Sequence, residues 1–168
     1  GHPGGNRWYE DAGMTPPRGE QDFKPPAVWF PYNRMGRSAS DIILDTTGGA
    51  FGPFDGQLFV GDQFSAEVMR VDLEQVDGVW QGTCFPFRRG FDCGVNRMVF
   101  GTDGSLFVGM TNRGWGSLGR RPWGLQRVVW TGVVPFEMKT VRIQPDGFVV
   151  SFTKPIDPSS AQSDDAVR

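Results

Sequence analysis

The sequence predicts an all-β fold containing about two blades of a β-propeller, and three observations predict it. The octapeptide GQLFVGDQ at residues 56–63 returns 48 residues later as GSLFVGMT at residues 104–111. Leu and Ala are scarce while Phe, Val, Trp, Gly and Pro are abundant, which disfavours helices and suits short strands joined by tight turns. Short apolar runs alternate with turns containing Gly, Asp or Ser. Runs of about four strands that return every 40 to 50 residues match the blade period of a propeller.

The elements follow from this pattern in order. Residues 1–37 are an irregular arm rich in Gly, Pro and charge, and residues 38–131 hold the blades. Residues 132–157 carry two alternating strands around a PDG turn, which form either a β-hairpin or the start of a β-sandwich module, and residues 158–168 are a polar tail. Within the blades we expect strands at 41–45, 57–62, 67–73 and 79–87, then at 96–101, 105–110 and 125–131.

Charge and length narrow the class of protein. The net charge of −2 gives no general attraction to nucleic acid or anionic membranes, so neither is an expected partner. No apolar run approaches the roughly 20 residues of a membrane helix. The first residues contain neither Met nor a signal-peptide hydrophobic region. Natural propellers have about four to eight blades, and two cannot close a ring. We therefore expect the chain to be a piece of a larger propeller.

Two cysteines, Cys84 and Cys93, lie on either side of FPFRRGFD. They form a disulfide only if their Cα atoms come close enough, and otherwise they are two buried thiols. Two Cys and one His do not supply the four ligands of a usual structural zinc site, and we predict no metal-binding residue.

The loops at 62–66, 86–95 and 111–124 are predicted to emerge on one face, because successive antiparallel strands alternate in direction. This face is rich in Arg and Trp, which suits a planar anion, since guanidinium groups bind carboxylates and indoles stack. The alternative is a solvated basic surface, with Arg97 and Arg127 pairing with Asp62 or Asp72 across blades. The candidate cofactor-binding residues are Arg97, Arg113, Trp115, Arg88, Arg89, Asp62 and Gln63.

Two further signals bear on catalysis. Gly114, Gly116 and Gly119 form a G-x-G-x-x-G pattern, but the RRPWG that follows cannot propagate the helix that a dinucleotide site needs. His2 is the sole imidazole and therefore the candidate general base. The alternative is a loop histidine without a catalytic role.

Several segments resemble one family. FGPFDGQLFVGDQ, GVNRMVFGTDGSLFVGMTNRGWG, GLQRVVWTG and PFEMKTVRI with GFVVSFTKPID are similar to the glucose/sorbosone dehydrogenase-like propellers, over roughly residues 25–157. The similarity is greatest to large secreted bacterial proteins that join such a propeller to cytochrome c-type or sandwich modules. Characterised members oxidise sugars or related alcohols with pyrroloquinoline quinone, usually with calcium, in the periplasm.

The resemblance implies two functions of different class. One is a quinone-dependent sugar dehydrogenase, in which arginines hold the quinone carboxylates and a histidine takes the substrate proton. Its partners are a sugar, the remaining blades and a cytochrome c-type module. The other is a non-catalytic propeller that binds carbohydrate or protein, as some family members do. Both imply a periplasmic or extracellular location.

Overall fold

The computed structural model describes residues 26–112 and 114–161, and their regular structure is almost entirely β. One four-stranded antiparallel sheet contains β1 (Ala39–Leu44), β2 (Leu58–Asp62), β3 (Glu67–Val76) and β4 (Val79–Arg89) in that order. A second sheet contains β5 (Val95–Phe100), β6 (Leu106–Thr111) and β7 (Trp123–Val128). The last elements are a hairpin of β8 (Met138–Gln144) and β9 (Gly147–Phe152) and one helical turn, α1 (Pro158–Ala161).

The all-β prediction is confirmed, and the two octapeptides hold equivalent places. β2 is the second strand of its sheet and β6 is the second strand of the next. The two meanders stack through their innermost strands, as consecutive blades of a propeller do. β7 begins and ends earlier than predicted, so the chain leaves the second sheet after Val128.

The main core lies between the two sheets. Along β2, Phe59 points to the second sheet, which presents Val95, Leu106 and Val108 in return, and all four are buried. Burying such a side chain stabilises the fold by about 1.5–3 kcal/mol. The sheets approach closely at Gly61, where a Cβ atom would lie 2.5 Å from Val95 Cγ1. The glycine of the first LFVG motif is therefore required by packing.

We name the two faces of each sheet from this core. The trailing face bears the Phe and Gly of LFVG, and in the first sheet it points to the second. The leading face is the opposite one, and in the first sheet it carries Val60, Met69 and Val71. The irregular segment before β1 packs on these three residues with Val28, Phe30 and Met35.

Because of this segment, the two outer faces of the pair of sheets differ in cover. The segment covers the part of the leading face around Val60, Met69 and Val71, while Ile42 and Leu44 of β1 and Trp80 of β4 remain exposed there. No helix in the described ranges is long and apolar enough to cross a membrane. Cys84 and Cys93 are free thiols, and burial raises the pKa of Cys84.

Candidate functional site

Three loops meet on one face of the two sheets, as their connectivity predicts. The Leu118 amide donates to Phe64 O at 2.8 Å, and the Arg121 amide donates to Asp92 O at 2.8 Å. The Thr111 amide donates to Gly94 O at 2.9 Å. These bonds link the β2–β3, β4–β5 and β6–β7 loops into one surface, which we call the loop face.

Asp62 and Gln63 lie inside the loop face. The Asp62 carboxylate is fully buried and accepts from the amides of Arg37 (2.7 Å), Ser38 (2.5 Å) and Ser65 (2.6 Å). Gln63 bonds with backbone: its amide donates to Ser38 O at 2.8 Å and its side chain to Thr111 O at 3.5 Å. Both residues hold neighbouring segments in place in this structure, with their polar groups directed into the protein.

Arg89 also makes an internal contact. Its Nε lies 2.5 Å from Oε2 of the buried Glu67, and its Nη2 donates to Arg34 O at 2.9 Å. Glu67 in turn accepts from the Gly36 amide at 3.1 Å. The pair Arg89 and Glu67 therefore fixes the segment that covers the leading face.

Arg97 and Trp115 are exposed near the loop face. Arg97 lies on β5, and its Nη1 is 3.7 Å from Oδ1 of Asp41 on β1. The same Asp41 accepts from the Met98 amide at 2.7 Å, so it joins the innermost strands of the two sheets. Trp115 follows β6 in the long loop. The candidates Arg113 and His2 lie outside the described residues.

The alternative partners for the strand arginines were wrong. Arg97 pairs with Asp41, and Arg127 pairs with Asp103 and not with Asp72. Asp72 is held by Arg142 of the hairpin, and Asp62 is enclosed by backbone amides. Asp62 and Asp72, the predicted partners, therefore both bind other groups.

A cleft of about 500 Å³ opens between the end of β4 and the chain around β7. Its lining combines aromatic and aliphatic side chains with three arginines, Arg88, Arg89 and Arg127. Arg88 is exposed, and its guanidinium makes no hydrogen bond or ion pair with any residue the structure describes. The other lining residues that matter here are Phe51, Phe54, Phe87, Phe91, Gln126 and Trp130.

Sequence reasoning placed Arg88 in the candidate set and missed the cleft around it. Two walls come from irregular segments, namely residues 51–54 before β2 and residues 129–135 after β7, of which 129–131 were predicted as the end of a strand. The available signal was the aromatic FGPF at 51–54, which is too rich in Phe for an ordinary surface loop. Arg97 and Trp115 are not among the residues that line the cleft.

A second polar cluster went unpredicted and fixes the hairpin. Arg70 on the trailing face of β3 is buried and donates to Gln57 Oε1 (2.6 Å), Met138 O (2.7 Å) and Lys139 O (3.1 Å). Its guanidinium lies 3.9 Å from the centre of the Phe54 ring. Burial lowers the pKa of Arg70 to about 10, and the charges of Glu137 and Asp72 oppose this shift.

No family model fits the chain, and no curated protein is significantly similar to it. Across residues 26–112 and 114–161, no three His, Cys, Asp or Glu side chains come together as a metal site. The calcium implied by the resemblance stays a prediction.

Proposed function

We propose that this chain is a section of a β-propeller that binds a planar, carboxylate-bearing organic molecule in the cleft beside Arg88. One observation supports the proposal. The Arg88 guanidinium, which has no partner among the described residues, lines a cleft of about 500 Å³ that the rings of Phe87 and Phe91 also line. An arginine fork binds a carboxylate through two charge-assisted hydrogen bonds, and the neighbouring rings give a flat molecule a surface on which to stack.

Pyrroloquinoline quinone is the first ligand to test, because it is flat and carries several carboxylates and because of the resemblance to quinoproteins. In this proposal Arg88 holds a carboxylate, while Phe87 and Phe91 contact the ring system and keep water from it. The bound quinone would supply a two-electron acceptor for the oxidation of a sugar or related alcohol. The periplasmic or extracellular location and the cytochrome c-type partner are part of the same proposal.

The test is a titration of the chain with pyrroloquinoline quinone, with and without calcium, followed by tryptophan fluorescence and calorimetry. A charge-assisted hydrogen bond is worth about 1.5–3 kcal/mol, so Arg88→Gln should weaken binding roughly ten- to a hundredfold. The matched control is Arg120→Gln, which removes an exposed arginine that does not line the cleft. Equal weakening by the two variants would show attraction to charge in general and would refute the site.

Dye reduction separates the two classes of function. The full-length protein, loaded with quinone and calcium, should reduce a dye in the presence of aldoses if it is a dehydrogenase. If quinone binds in the cleft but the protein reduces no dye with aldoses or other alcohols, the dehydrogenase activity is refuted. The binding function of the propeller then remains.

A further inference from the structure

The 48-residue repeat pairs the trailing-face positions of β2 in the first sheet with those of β6 in the second. Within β2 and β6, Phe59 corresponds to Phe107 and Gly61 to Gly109. The strand registers extend this equivalence to the third strands. Phe59 lies opposite Arg70 as Phe107 lies opposite Arg127, and Gly61 lies opposite Val68 as Gly109 lies opposite Leu125.

The two faces share this pattern but differ in cover. Val68 is 1 % exposed beneath the second sheet, whereas its counterpart Leu125 is 71 % exposed. Trp123 and Val99 continue the exposed apolar surface, at 72 % and 59 %. In stacked repeats the terminal unit usually has a polar outer face, because nothing follows it. The apolar trailing face of the second sheet does not have that character.

The space around Gly109 shows where on this face a partner residue would fit. A Cβ atom at Gly61 would press against Val95 of the following sheet, which explains that glycine. A Cβ atom at Gly109 would meet only Arg97, with the carbonyl oxygen 3.6 Å away and Cβ 4.0 Å away, among the atoms described. Glycine within a strand weakens it, so a glycine without a packing reason is unusual. The slot at Gly109 matches one that Val95 fills in the first sheet.

The third-strand arginines show the same difference. Arg70 is 1 % exposed and donates to Met138 O and Lys139 O, which the hairpin supplies. Arg127 is 49 % exposed and is held by Asp103 and by Ser105 Oγ, the latter at 2.9 Å. Ser105 corresponds in the repeat to Gln57, the side-chain partner of Arg70. Arg127 thus has a side-chain partner, Ser105, at the position of Gln57. Among the residues that the structure describes, it has no counterpart of the two backbone carbonyls that accept from Arg70.

We infer that the trailing face of the second sheet docks a further antiparallel sheet of the same repeat. We infer the properties of this partner from the interface between the first and second sheets. It presents aliphatic side chains as β5 and β6 do, with a Val95-like residue at Gly109. A strand or hairpin beside it offers backbone carbonyls to Arg127. On the leading face of the first sheet, by contrast, the segment before β1 already packs on Val60, Met69 and Val71.

The test extends the whole chain after Arg168 with a flexible linker and a second copy of residues 90–161. Leu125→Cys in the original copy reports on the trailing face through its rate of reaction with a thiol reagent. The rate is read by mass spectrometry on the peptide that contains position 125. We expect at least a tenfold slower reaction in the extended chain than in the unextended chain. Val79→Cys, at an exposed position on β4, should react at the same rate in both.

Gly109→Val in the original copy decides whether the protection comes from this interface. The substitution leaves the unextended chain folded, because the nearest atom lies 3.6 Å from the new Cβ. In the extended chain it fills the slot, so the reaction of the thiol introduced at position 125 should return to the rate of the unextended chain. Equal rates at that thiol with and without the extension overturn the inference. Protection that survives Gly109→Val also overturns it.

Discussion

The first and second sheets contain the same motif and place it in different surroundings. Arg70 and Arg127 lie at equivalent positions, each beside the residue that precedes an LFVG strand. One is buried under a hairpin, with carbonyls, a glutamine and two aromatic rings around its guanidinium. The other keeps a solvent-exposed ion pair with Asp103. Whether the arginine at this position is buried therefore depends on the segment that packs over it. The sequence and register of the sheet itself do not decide this.

The largest expected effect comes from removing the two arginines. Arg70→Ala should lower the free energy of unfolding by about 1–3 kcal/mol for each buried acceptor left without a donor, chiefly Gln57 Oε1 and Met138 O, because Gln57 still donates to Lys139 O. Arg127→Ala should cost about 0–1 kcal/mol, as exposed ion pairs do. Urea unfolding of both variants measures the difference. Equal losses of unfolding free energy in the two variants would show that the hairpin does not make the contacts of Arg70 more stabilising than those of Arg127.

The two LFVG glycines give the next largest contrast. Gly61→Val forces a side chain against Val95 and should cost about 1–3 kcal/mol, the usual range for overpacking. At Gly109 an added Cβ atom would meet no atom closer than 3.6 Å, so Gly109→Val should be neutral or stabilising by up to about 1 kcal/mol, because valine favours strands. Thermal unfolding of the two variants tests this. A comparable loss at Gly109 would mean that the described residues already fill its slot.

The smallest effect concerns Asp103, whose pKa is lowered mainly by hydrogen bonds from Ser105 and to a lesser degree by Arg127. A carboxylate with a lowered folded pKa stabilises the protein above the usual Asp pKa near about 4, and this contribution is lost as pH falls through the folded value. NMR titration should show a larger rise in the Asp103 pKa for Ser105→Ala than for Arg127→Ala. The reverse order would make the ion pair the principal cause.

Local pattern was sufficient for the strands and for the equivalence of β2 and β6. LFVG alternates between the faces, and the Gly and Asp residues around it mark turns, so the two octapeptides identified second strands without any tertiary information. The segment before β1 gave no such signal. Its apolar residues Val28, Phe30 and Met35 follow no period, and only the leading face they cover explains them.

The candidate residues show why charge type alone identifies sites poorly. Asp62 and Arg89 have the chemistry of ligand-binding groups, yet they are occupied by backbone amides and by Glu67. Such partners leave no mark in the sequence, because any residue supplies a backbone amide. The backbone carbonyls that accept hydrogen bonds from Arg70 likewise cannot be identified from the sequence. Arg88 and its neighbour Arg89 both line the cleft, and they differ because Arg89 is paired with the buried Glu67.

The hairpin that covers Arg70 has a consequence for the order in which the protein is made. Met138 lies 68 residues after Arg70, so a ribosome that adds about 5–20 residues per second reaches it about 3–14 s later. Strand pairing takes microseconds, and β1 to β4 are complete long before that time. Any first sheet that forms before β8 is made therefore lacks the two hairpin carbonyls that bind the Arg70 guanidinium in the finished fold.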